Sequence, residues 1–135
     1  MAFMEWTEEL SVKIPSIDRQ HRTLIGYINK LDDALGRGHA EQLIEMILNG
    51  LVRYTTAHFM YEEMLFSLHH YPETDGHKIA HGKLYKKVDE FKQRFAQGDP
   101  TVGPELLDFL KSWLQKHILK EDMAYSGFFQ ECGVK

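Results

Sequence analysis

Residues 51–65, LVRYTTAHFMYEEML, set the reading of the whole chain. Leu51, Tyr54, His58, Tyr61 and Leu65 recur at intervals of three and four, the period of one face of an α-helix. Within that stripe His58 and Glu62 stand four residues apart. One turn of about 5.4 Å separates them on the same face, so both can point at one centre. Alone, a histidine and a carboxylate at this spacing describe a half-buried imidazole beside a solvated acid. Their meaning depends on the rest of the chain.

The stripe extends back through Ile47, Ile44 and Leu43 to a start near Ala40 and forward to His69, ahead of Pro72. Gly50 interrupts it at a cost of about 1 kcal/mol against alanine, which is expected to permit a close helix contact. Upstream, Ile17, His21, Leu24, Ile28, Leu31 and Leu35 predict a helix from Asp18, read as its N-cap, to the stop at Gly36-Arg37-Gly38. Downstream, Thr74 or Asp75 caps a seam of His77, His81, Leu84, Val88, Phe91 and Phe95. Gly98-Asp99-Pro100 breaks that seam. Gly103-Pro104 then opens a fourth stripe of Leu106, Leu110, Trp113 and His117, flanked by Leu107, Leu114 and Ile118. No segment alternates with the period of a half-buried strand. Four amphipathic helices joined by short turns predict an all-α, up-down-up-down four-helix bundle as a single domain. Its arm covers residues 1–17, its bundle about 18–122 and its tail 123–135. In the arm, Pro15 is expected to discourage helix and Trp6 to pack against the body. In the tail, Tyr125, Phe128 and Phe129 are expected to fold back and seal the bundle.

Composition narrows the function. The 135 residues carry a net charge of -4 and no Lys/Arg run, which argues against nucleic acid or an anionic membrane as partner. Neither a signal peptide nor a membrane span is visible. Cys132, the one cysteine, allows no intrachain disulfide and no thiolate cluster, and a cytoplasmic setting fits. Eight histidines are the unusual feature. His39, His69 and His70 fall in turns, whereas His21, His58, His77, His81 and His117 fall on apolar stripes, where unpartnered polar groups are costly.

These five belong at one height. Measured from the turns, the His58/Glu62 and His77/His81 pairs, His117 and His21 agree to about one helical turn. His117 and Asp122 are spaced by five, so both reach a common site only through a local irregularity, such as a wide turn or a helix ending near Lys120. Five imidazoles and two carboxylates exceed what one four-coordinate zinc can use. Two six-coordinate ions sharing both carboxylates would use all seven. The donor set suits iron and leaves manganese, cobalt and nickel open.

The ordered series His21, His58-x-x-x-Glu62, His77-x-x-x-His81, His117-x-x-x-x-Asp122 resembles the hemerythrin family at every signature position. The longer segment between His81 and His117 and the Trp6 arm are similar to its prokaryotic single-domain members. The resemblance implies a non-haem di-iron centre with a bridging oxo or hydroxo group and reversible dioxygen binding for storage, transport or delivery. It implies His77, His81 and His117 on one iron, His21 and His58 on the other, and Glu62 and Asp122 bridging. Leu24, Phe59, Trp113 and Leu114 resemble the family's apolar oxygen pocket.

Ferritin-like di-iron oxidases take Glu-x-x-His from two helices, and this chain has none. Neutral imidazoles leave less negative charge to support oxidising iron states, which favours a binding protein over an enzyme. The competing readings are oxygen sensing through a partner, a peroxidase or nitric oxide handling enzyme, iron storage, and a metal-free bundle. The partners expected are dioxygen and a protein that accepts it, with the chain a monomer or weak oligomer.

Overall fold

The structure is a computed structural model that describes residues 3–38, 41–99 and 101–135. His39, the expected start at Ala40, and Pro100 lie outside the described residues. A short 3-10 turn, Glu8–Leu10, precedes α1 (Pro15–Gly36), α2 (Glu41–His69), α3 (Thr74–Ala96) and α4 (Val102–Lys116). A π-helical turn, His117–Asp122, leads from α4 into α5 (Met123–Glu131). Helix α1 packs on α2 and α4, and α3 packs on the same two, which closes a four-helix bundle. The described residues contain no strand.

The stripes meet as their spacing requires. Ile17, Leu24, Ile28 and Leu31 of α1 are buried with Leu48, Leu51 and Leu65 of α2, Leu84 and Phe91 of α3, and Leu106, Leu110 and Leu114 of α4. At 20–33 cal/mol per Å2 of apolar surface, each such side chain contributes about 1.5–3 kcal/mol. Gly50 serves the close contact its position predicted, since a Cβ there would lie 3.1 Å from the Tyr27 ring of α1.

The first helix begins earlier than its sequence pattern indicates. Pro15 is the first helical residue, a position where its missing N–H is no loss and its fixed φ suits the turn. Ile14 therefore stands at the N-cap, and Asp18 is freed for another task. Its carboxylate accepts from Ser11 Oγ at 2.6 Å and Val12 N–H at 2.8 Å, tying the arm to α1. Further along the arm, Met4 exchanges two 2.8 Å hydrogen bonds with the Asn29 side chain, while Arg22 lies 4.0 Å over the half-buried Trp6 ring. The arm is thus held against the body, as expected for Trp6.

At the other end, His70 takes φ +55° after α2, and Tyr71 N–H reaches back to Phe66 O at 3.0 Å. This is a Schellman-type helix stop with histidine where glycine is usual. Helix α5 then covers the bundle end, with Tyr125 and Phe129 fully buried and Phe129 stacked on Phe66 at 5.7 Å.

Candidate metal centre

Helices α1, α2 and α3 and the π turn that follows α4 contribute to one buried polar cluster. His21 comes from α1, His58 and Glu62 from α2, His77 and His81 from α3, and His117 and Asp122 from the π turn. That turn is the irregularity the five-residue spacing required. Its wider winding returns residues i and i+5 to one side, so Asp122 lies 3.1 Å from the imidazole of His117. The structure brings together all seven side chains that the sequence singled out.

The donors fall into two sets, each with all ligand atoms within 4.8 Å of one another. Glu62, His77, His81 and His117 form one, and His21, His58, Glu62 and Asp122 form the other. Asp122 also spans them: Oδ1 lies 3.0 Å from His77 Nε2, and Oδ2 lies 3.0 Å from His21 Nε2. Glu62 Oε1 is 3.3 Å from His81 and 3.4 Å from His58. Close as these atoms are, the Nε2 atoms of all five histidines, Glu62 Oε1 and both Asp122 oxygens make no hydrogen bond. Leaving one such buried group unsatisfied costs about 1–3 kcal/mol. Eight together, with lone pairs converging on shared space instead of on each other, fit two cations.

Outer hydrogen bonds orient two of the rings. His58 Nδ1 meets Gln20 Oε1 and His81 Nδ1 meets Glu63 Oε2 at 2.9 Å, while Glu121 Oε2 lies 2.8 Å from His117 Nδ1 without making a hydrogen bond. A proton held at Nδ1 leaves Nε2 as the bare donor, the tautomer a metal needs. Aromatic faces fix two rings further, Phe59 stacking on His81 at 3.6 Å and Trp113 on His117 at 4.4 Å.

The sequence reading assigned Tyr125 only a sealing role. Its hydroxyl donates to Glu62 Oε2 at 2.6 Å inside the cluster. Burial, together with the Asp122 and Glu62 carboxylates, pushes the phenol pKa well above its ordinary value and keeps it a donor. The missing signal was positional: Tyr125 follows Asp122 by three residues, but only the π turn fixes where it points. Gln20, Glu63 and Glu121 were missed for a similar reason, each being sequence-adjacent to a ligand and reading as solvated surface.

Charge within the cluster is sharply divided. Burial lowers His58 to about 4 against the opposing pull of Glu62. Burial also works against a charged His77, but Asp122 and Glu62 beside it raise it to about 10. Glu62 would be raised by burial and by Asp122, yet the surrounding imidazoles bring it down to about 2. Asp122 is held well below the carboxylate range, with His117, His21 and His77 overcoming burial.

Among the pocket residues, Leu24, Phe59 and Leu114 are buried and Trp113 is half-buried. Leu24, Trp113 and Leu114 line a small cavity of about 20 Å3 with Ile28, Leu51, Thr55, Leu84 and Leu110. Phe59 is not among its walls and instead lies flat on His81.

No described helix is long and apolar enough to cross a membrane. The chain matches the hemerythrin HHE cation binding domain over residues 12–128. It is 37% identical to a bacteriohemerythrin of Pseudomonas aeruginosa strain LESB58, covering 93% of this chain and 80% of that protein. It is 31% identical to the bacteriohemerythrin of Methylococcus capsulatus strain Bath, covering 93% and 95%. A crystal structure of wild-type hemerythrin superposes with a TM-score of 0.86 at 31% identity, over 93% of this chain and 97% of that one. With the seven donors in one buried cluster, these likenesses place the chain in the hemerythrin family.

Proposed function

We propose that this protein binds dioxygen reversibly at a non-haem di-iron centre, as a binding protein and not an enzyme. The observation that carries the reading is the pair of donor sets joined through Glu62 and spanned by Asp122, with five imidazole Nε2 atoms left bare in a buried site. His77, His81 and His117 would hold one iron, His21 and His58 the other, and Glu62 and Asp122 both. When bound, two such irons supply the electrons that hold dioxygen. With three imidazoles against two, the His21 and His58 side would be the one left with room for the ligand.

The protein's own part is to orient, enclose and exclude. Gln20 and Glu63 hold the ring protons of His58 and His81 away from the metal side. Tyr125 fixes the Glu62 carboxylate. Leu24, Phe59, Trp113 and Leu114 present apolar surface where water and protons would otherwise promote irreversible oxidation. Storage or delivery of dioxygen to an acceptor fits a bundle whose buried chemistry is spent on one site.

The test is anaerobic loading with ferrous iron, then visible spectroscopy as air is admitted and swept out with argon. A band that appears in air at two irons per chain and fades under argon supports reversible binding. Rapid irreversible conversion to a ferric spectrum, with peroxide or nitric oxide turned over under a reductant, would replace the reading with an enzymatic one.

A further inference from the structure

The five histidines are not equally enclosed. His21 is 0% exposed, His81 1%, His58 2%, His117 4% and His77 6%. His77 reaches the floor of an open cleft of about 280 Å3, between the start of α3 and the π turn, walled by Tyr71, Glu73, Gly76, Lys120, Glu121 and Ala124. None of the other four histidines lines this cleft. Gln20 and Glu63 hydrogen-bond the outer edges of His58 and His81, and Glu121 stands against that of His117, whereas His77 Nδ1 makes no hydrogen bond with the described residues and is not sealed from solvent. His77, the most exposed of the five, is the one that meets this cleft.

We propose that this cleft is the electron-entry port of the centre, admitting a small, positively charged one-electron donor to the outer edge of His77. The inference rests on the di-iron reading, because a site that takes up dioxygen in its ferrous state must be reduced again whenever it is lost to the ferric state. The step is balanced: each ferric ion gains one electron, each donor molecule loses one, and no bond is made or broken. Glu73 and Glu121 on the walls favour a cationic donor, and Lys120 moderates them. Two of the other rings are covered by aromatic faces instead, Phe59 stacking on His81 and Trp113 on His117.

Gly76 makes the proposal testable. A Cβ added at Gly76 meets nothing within 4 Å, and the same holds at Gly82, a glycine of α3 that does not line the cleft. Replacing either removes an interior helical glycine, so neither substitution is expected to unfold the protein. The probe is hexaammineruthenium(II), mixed with the oxidised, iron-loaded full chain and followed by loss of the ferric spectrum. Gly76→Trp is expected to slow reduction several-fold, with Gly82→Trp at the wild-type rate. Lys120→Glu, a change of two charges on the cleft wall facing a doubly charged donor, is expected to accelerate it about tenfold or more at low salt, an effect that fades as ionic strength rises. As a readout independent of reduction, hexaammineruthenium(III) should broaden the amide signals of Gly76 and Ala124 more than that of Gly82. Equal rates in Gly76→Trp and Gly82→Trp, or greater slowing by Trp113→Phe than by Gly76→Trp, would overturn the port. The air and argon cycle of each variant reports separately on dioxygen binding, so failure of the port and failure of that function are distinguishable.

Discussion

Replacing Tyr125 by Phe removes one oxygen atom from the interior and tests whether Glu62 is positioned by it. The phenol donates to Glu62 Oε2 at 2.6 Å, both side chains are fully buried, and the acceptor is held ionised by the imidazoles around it. A hydrogen bond to a charged group contributes about 1.5–3 kcal/mol, and His77 Nε2, 3.8 Å from Oε2, is too distant to take the hydroxyl's place as donor. At about 2.1 cal/mol/K per residue, unfolding 135 residues carries an entropy near 0.28 kcal/mol/K, so the metal-free chain should lose about 5–10 °C in Tm. The Phe ring itself fits the same space, so packing contributes little to the loss. Iron affinity should fall about 10–100-fold, the usual consequence of freeing a ligand from its outer partner. Far-UV circular dichroism melts give the first quantity and chelator competition the second. A Tm change below about 2 °C together with unchanged affinity would refute the positioning role.

Three further outcomes are expected. His70→Gly relieves a left-handed backbone at a helix stop and should stabilise the chain by about 1 kcal/mol, seen as a Tm rise of about 3–4 °C; a lower Tm would mean the His70 side chain supports the turn. Leu114→Ala should raise the autoxidation rate of the oxygen-bound protein while costing about 2–5 kcal/mol of stability, and an unchanged rate would remove Leu114 from the water barrier. The metal-free chain should be most stable near pH 6.5. His77, raised to about 10, contributes stability that is complete below pH 6.5 and lost as pH rises through 10, whereas His58, lowered to about 4, loses stability as pH falls from 6.5 towards 4. Glu62 and Asp122 add a second loss in stronger acid, Glu62 as pH falls from 4.5 through about 2. Denaturant melts across pH locate the maximum, and metal loading should flatten the alkaline limb because the ion replaces the His77 proton.

How much of this was legible beforehand follows from which positions carry a period. The stripes set four helices, and the histidines on them set the site's height, because burial along an amphipathic helix repeats every three or four residues. Asp122 was legible only as a conflict: spaced by five from His117, it demanded a local widening, and the π turn supplies it. What stayed hidden has no period. Asp18 has the composition of an N-cap, yet Pro15 starts the helix one turn earlier and Asp18 holds the arm instead. Tyr125 lies past the widened turn, where the direction of a side chain depends on a backbone detail that spacing does not encode.

The same π turn explains why the site tolerates no simple alternative. A regular α4 would carry His117 to the cluster and rotate Asp122 away, leaving His21 Nε2 and His77 Nε2 without the carboxylate that now lies 3.0 Å from each. Removing one member of such a buried pair costs more than the pair itself contributes, because the remaining charge has no partner. The widened turn gives up regular helical hydrogen bonds, and it returns both Asp122 oxygens to the cluster and places Tyr125 against Glu62. Local irregularity in one helix is thus what connects two donor sets into one centre, and the four regular stripes serve to hold that turn in register.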